Sequence, residues 1–164
     1  MLLIIIMAIV GLSSSAANNV APIKVLAARL IGTEKIVGNA RVVLNSSKLR
    51  ALNSSLGSYL ANANHDIIKP LALQSIDVTK LDKKLIATEA NPAMVKRLED
   101  DRLNGVYDRE YAREMASQLE TIGILMRQVY GSTTSKSLKT FLEEANLSLA
   151  PTQQQFAKFD STNG

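Results

Sequence analysis

Glu34 is the one acid that helical spacing places on an inner face, so chemistry inside this chain would have to start there. A carboxylate in that position could act as a metal ligand or a proton acceptor. It could equally be a helix-edge group that reaches water or pairs with Arg41 or Lys35, because an unpaired buried carboxylate is costly and its pKa rises. His65 is the single histidine and stands off the apolar stripe beside Asp66. General acid–base work needs a partner and a pocket, and the pattern around His65 supplies neither. Met115 and Met126 fall on an apolar stripe without accompanying histidine or cysteine, which reads as core filling rather than a soft-metal site. Ser54 and Ser55 belong to no Gly-x-Ser-x-Gly elbow, and no glycine motif could cradle a phosphate. Cysteine is absent, which excludes disulfides, thiolate metal sites and a thiol nucleophile. Asn45, Asn53 and Asn146 open N-x-Ser sequons, the last two inside helical stretches; in a bacterial periplasm they carry no consequence.

These residues must be positioned by helices. Tyr111, Met115, Leu119, Ile122, Met126 and Val129 are spaced by four, four, three, four and three, so they form one narrow stripe on a helix running from Asp108 to Gly131. Asp108 is its expected cap and Gly131 its stop. A first helix is expected over Val20 to Leu44, with Pro22 in its first turn and Ile23, Leu26, Ala27, Leu30, Val37, Ala40 and Leu44 inward. Gly32 and Gly38 either weaken that helix, by about 1 kcal/mol each, or allow close helix approach. A second helix follows a cap at Ser47, with Leu49, Leu52, Leu56, Tyr59 with Leu60, Ala63 and Ile67 as its stripe, and runs to about Lys69, where Pro70 ends or kinks it. Residues 74 to 90 read as a long connection with one helical turn, anchored by Val78, Leu81, Leu85 and Ile86. Asn91-Pro92 starts a short helix to about Arg102 with Val95 and Leu98 inward, broken by Asn104-Gly105. The last helix spans Lys136 to Phe159 with a local kink at Pro151. The expected fold is all-α: an up-down bundle of four long helices plus one short extra helix, near-antiparallel and left-handed. Each six-residue stripe contributes on the order of 10 kcal/mol gross on burial, largely offset by ordering entropy.

The bulk numbers agree. The chain has 164 residues, which suits one domain, and aromatics make up only 4% with no tryptophan, which favours helix-on-helix packing. Nineteen basic and fifteen acidic residues give a net charge of +4, but the basic groups are interspersed with acids. That pattern is a solvated helix surface and not the dense stripe with interleaved aromatics that a nucleic-acid partner requires. Leu2 to Leu12 is unbroken apolar sequence, roughly 16 Å as a helix, too short to cross a bilayer but suited to a signal-peptide core. Ser15 and Ala17 fit the small-residue cleavage rule, although no Lys or Arg precedes the run. The expected organisation is a signal peptide over 1–17, one helical domain over 18–160 and a disordered tail over 161–164. After cleavage no stable membrane insertion is expected; an uncleaved interfacial anchor or a buried helix are the other readings of the run.

The order of features resembles an exported bacterial family, domain-of-unknown-function family 4142, whose fold is a ferritin-like helical bundle. The resemblance rests on T-E-K-I-V-G-N-A with Glu34 and Gly38, on L-x-x-L-N-S-S-L from Leu49, and on G-V-Y-D-R-E-Y from Gly105 to Tyr111. It implies a ferritin-like bundle and an exported, periplasmic or secreted location. The family commonly carries three histidines, and the corresponding places here are Leu60, Leu119 and Gln155. Metal sites in bundles need converging carboxylates and imidazoles, and leucine offers no lone pair. Glu34, a relic ligand on this reading, cannot hold a metal alone. The resemblance therefore implies a non-catalytic protein without cofactor or metal, with a structural or binding role toward a protein partner or a small apolar ligand. Two alternatives stand beside it: a carboxylate-only metal site using Glu34 with Glu120, Glu143 or Glu144, and a carrier of a small apolar ligand between helices.

Overall fold

A computed structural model describes residues 13–159, with side chains from Val20 onward. Residues 1–12 of the expected signal peptide and the expected tail at 161–164 lie outside the described residues. The described residues are helical throughout, with no strand among them. The helices are α1 (Ser13–Ala40), α2 (Ser47–Asp66), α3 (Ile68–Ala72), α4 (Lys83–Glu89), α5 (Pro92–Leu103), α6 (Tyr107–Ser132) and α7 (Lys136–Ala157), with a 3-10 turn at Val78–Lys80.

Four long helices carry the core. α1 packs on α2 and α6, and α7 packs on α6 and α2, so the four close a ring. Specific contacts fix their directions. Asn53 of α2 donates to the Val37 carbonyl of α1 at 3.0 Å and Asn64 donates to Glu34 at 2.7 Å, so α2 descends as α1 ascends. Asp108, at the start of α6, meets the backbone of Asn45 and Ser46, while Gln118 donates to Thr33 at 3.2 Å. α6 therefore runs against α1 and alongside α2. α7 returns against both α6 and α2: Tyr130 reaches Glu143 at 2.6 Å, and the Tyr59 hydroxyl donates to the Ala145 carbonyl at 2.9 Å. In chain order the long helices run up, down, down, up. Every neighbour around the ring is antiparallel, and a crossover over residues 67–106 joins the two middle helices.

The stripes read from spacing are the core. Every large residue named on the α6 stripe is buried, as are Ile23, Leu26, Leu30 and Val37 of α1 and Leu49, Leu56 and Leu60 of α2. On α7, Leu138, Phe141, Leu142, Leu149 and Phe156 are buried, while the ring of Pro151 faces solvent.

Boundaries and caps differ from expectation in instructive ways. α1 is already helical at Ser13, the first described residue, so Pro22 lies inside the helix instead of in its first turn, and the expected cleavage junction after Ala17 falls within it. The helix stops at Ala40, four residues before Leu44: the Val43 and Leu44 amides both close on the Ala40 carbonyl, and beyond that turn Arg50 donates to the Leu44 and Asn45 carbonyls at 3.1 and 2.7 Å. Ser46 caps α2, its hydroxyl accepting from the Leu49 amide. Asp108 does not cap its own helix. Val106 precedes α6 without a side-chain cap, and the Asp108 carboxylate accepts from the Asn45 and Ser46 amides at the start of α2. Gly131 lies in the last turn of α6, which ends at Ser132.

The crossover is more structured than its weak apolar pattern suggested. α3, the 3-10 turn and α4 occupy it, and side chains cap the last two: Asp77 accepts from the Thr79 amide and Asp82 from the Lys84 amide. α5 matches the short helix read from Asn91-Pro92, but Met94 and Leu98 face inward while Val95 is 37% exposed. α4 lies against α1, and Gly32 is the reason it can. A Cβ on Gly32 would come within 2.8 Å of the Ala90 backbone, whereas one on Gly38 would meet nothing within 4 Å. Close approach thus explains one glycine of the pair and not the other.

Candidate functional site

Leu60 follows Asn53 by seven residues, and Leu119 follows Tyr111 by eight. Because α2 and α6 run the same way and the Tyr111 hydroxyl donates to the Asn53 side-chain oxygen, both leucines sit about two turns, roughly 11 Å, further along at one level of the bundle. Glu34 belongs near that level, since it accepts from Asn64, one turn beyond Leu60, and since its neighbour Thr33 accepts from Gln118, next to Leu119. Leu60 and Leu119 are 0% and 1% exposed within the single apolar core. The layer is hydrocarbon at its centre, with Glu34 half-buried at its edge and bound by an amide.

The third of these positions is not there. Gln155 is exposed near the far end of α7, beside a surface cleft of about 470 Å³ between the α2 start and the α7 end. Its neighbour Phe156 is the residue that turns inward, meeting the Tyr111 ring edge-on at 6.2 Å. Glu120, Glu143 and Glu144 are all exposed, with Glu143 accepting from Tyr130. Among the described residues no three His, Asp or Glu side chains lie together as a metal site would require. His65 is exposed and its Nδ1 meets only the Asp66 carboxylate at 2.9 Å. Met115 and Met126 are buried in the core, at 0% and 1% exposure.

Spacing alone passed over the polar groups that brace the helices. Asn53 is buried and joins three helices, donating to α1 and accepting from Tyr111 of α6. Thr33 and Gln118 form a second buried bridge. Glu89 of α4 pairs with Arg29 of α1 at 2.5 Å, both largely sequestered, which fastens the crossover to the bundle. Glu110 is buried at the α6 start between Arg109, at 3.1 Å, and Arg113. One signal was available: Asn53 falls between Leu49 and Leu56 on the inner face of its helix, where a polar residue requires a partner.

Burial shifts the phenols of the core. Burial pushes the Tyr59 and Tyr111 hydroxyls well above the ordinary phenol range. Tyr107 is pushed up to about 12, by burial first and by the nearby Glu99 and Asp108 charges second. All three stay protonated at neutral pH and act as hydrogen-bond donors or packing groups. Tyr107 stacks on Tyr111 with ring centres 5.8 Å apart.

A cleft of about 540 Å³ opens between the end of α2, α3 and the start of α7. Tyr59, Pro70 and Phe141 line it alongside Asp66, Lys69 and Glu144. It is a surface groove of mixed polarity, unlike the enclosed apolar chamber that a carrier of greasy ligands uses. No family model matches the chain, and comparison with curated proteins and with solved structures finds no match either.

Proposed function

We propose that this chain is a non-catalytic, exported helical bundle of the ferritin-like type, related to domain-of-unknown-function family 4142, with a structural or binding role. The observation that carries the reading is the layer at Leu60 and Leu119. Two hydrocarbon side chains fill the level of the bundle where a metal-binding relative would present imidazoles, and Glu34 at its edge is engaged by Asn64. The up-down-down-up order with one long crossover supports the ferritin-like part, since that class joins its two middle helices in this way. The exported part rests on the apolar run over residues 2–12 and the small residues after it.

Metal analysis of purified protein after exhaustive dialysis tests the proposal. The expected content is far below one transition-metal ion per chain, with no change in thermal midpoint on adding iron, manganese or zinc. A stoichiometric ion retained through dialysis, together with a midpoint raised by the same metal, overturns it.

A further inference from the structure

One end of the bundle carries most of the chain's excess charge. It is the end where α1 begins, α2 finishes, α6 finishes and α7 begins. α3, the 3-10 turn and the start of α4 bring Lys69, Lys80, Lys83 and Lys84 there, all exposed. Lys136 and Lys139 open α7, and Lys24 and Arg127 stand on adjoining turns of α1 and α6. The acids of the outermost turns are Asp77, tied to Lys80 at 3.2 Å, and Asp82; Asp66, Glu143 and Glu144 lie about a turn further in. Even with those three counted, eight basic groups face five acidic ones, an excess of three out of a net charge of +4 for the whole chain.

Two apolar side chains project among these lysines. Ile68 opens α3 and Leu73 follows it, and they are 45% and 68% exposed. Lysine's flexible stem suits a diffuse anionic surface, and exposed isoleucine and leucine beside it suit a host that is itself apolar a few ångströms down. A nucleic acid offers the charge but gives these aliphatic side chains nothing to enter.

The geometry points to this end as a docking face for an anionic phospholipid membrane, with Ile68 and Leu73 entering the headgroup region and the surrounding lysines meeting lipid phosphates. The face holds the bundle upright, its axis along the membrane normal, and presents the opposite end to solution. This goes beyond the proposed function, which names no partner.

Flotation of the full chain with phosphatidylcholine vesicles, with and without phosphatidylglycerol, tests it. Each lysine near an anionic surface contributes about fivefold in partitioning. The variant K69Q/K80Q/K83Q/K84Q is therefore expected to lose roughly 600-fold in binding to the anionic vesicles. The variant R41Q/K48Q/R102Q/K158Q, which removes the same charge from the opposite end, keeps the binding of the parent. All eight residues are exposed, so circular dichroism is expected to match the parent for both. Replacing Ile68 and Leu73 by serine lowers the binding that remains at high salt. Equal losses for the two charge variants overturn the proposal, because net charge alone then explains attraction. Binding indifferent to phosphatidylglycerol overturns it in favour of the apolar run alone. Binding of duplex DNA as tight as that of the anionic vesicles, with the same dependence on the four lysines, makes the face a nucleic-acid site instead.

Discussion

A single methyl group at Gly32 tests how α4 is seated on the bundle. In Gly32→Ala the new Cβ lies 2.8 Å from both the Cα and the nitrogen of Ala90. Those atoms are backbone, so no side-chain rotation relieves the contact, and either α4 lifts or α1 bows. Either movement disturbs the Arg29–Glu89 pair, one residue and one turn away, whose short 2.5 Å contact depends on that register. Overpacking of this kind costs about 1–3 kcal/mol. Alanine in place of glycine inside a helix returns about 1 kcal/mol, which leaves a net loss of about 0–2 kcal/mol.

Gly38→Ala is the matched control. It lies on the same helix, meets nothing within 4 Å and faces solvent. Its position in the last turn limits the propensity gain to a few tenths up to about 1 kcal/mol. Comparing the variants cancels much of the glycine-to-alanine propensity term and leaves mainly the clash, a difference of about 1–3 kcal/mol in favour of the Gly38 variant. For a domain of this size each kcal/mol moves the thermal midpoint by about 2–4 °C. Urea unfolding at equal m-values gives the same ordering with better precision. A Gly32 variant as stable as the Gly38 variant would show that α4 does not lie where close packing puts it.

Leu60→Ala and Leu119→Ala each remove a fully buried side chain and are expected to cost about 2–5 kcal/mol, read from denaturant midpoints; a loss below 1 kcal/mol for both would mean the layer is not packed. Asp108→Ala deprives the Asn45 and Ser46 amides of a shared anionic acceptor and is expected to cost about 1–3 kcal/mol, with Asp108→Asn recovering part of it. Hydrogen exchange at those two amides is expected to quicken in both variants. Tyr59, Tyr107 and Tyr111 have folded pKa values above the phenol value of the unfolded chain, so the folded state holds their protons more tightly. Their contribution is intact below about pH 10 and is lost as pH rises through the folded values, the first near 12 for Tyr107. Each contributes a slope of about 1.4 kcal/mol per pH unit in that window, and Tyr111→Phe is expected to flatten the alkaline limb of stability against pH.

Helical periodicity made the four long helices and nearly all of the core legible, because apolar side chains spaced by three and four have only one face to bury. Ends were less legible, because a cap is a contest between partners that can be distant in sequence. Asp108 looks like the cap of its own helix, yet the amides it satisfies lie more than sixty residues earlier in the chain. α4 exceeds the single helical turn expected over residues 74–90 for a related reason. Its hold on α1 includes an ion pair and a glycine, and neither registers as an apolar stripe. Leu60 and Leu119 could be placed inward from their stripes, but their common level follows from the parallel run of α2 and α6, which only the long crossover creates.

The buried polar set explains why a core of this composition has one register. Leucine, isoleucine, alanine and methionine pack almost as well after a helix slides by a turn, and with aromatics so scarce there is little shape to resist the slide. Asn53 resists it. A shift of α2 against α1 strands its amide from the Val37 carbonyl, and a shift against α6 strands its oxygen from Tyr111. Gln118 with Thr33 adds a second brace between α1 and α6 at a different height. An unsatisfied buried group costs about 1–3 kcal/mol, so each wrong register is penalised at two levels simultaneously. These polar residues cross the bundle to neighbouring helices, each tying one helix to the next at its own height, which is how side chains are placed to hold a register.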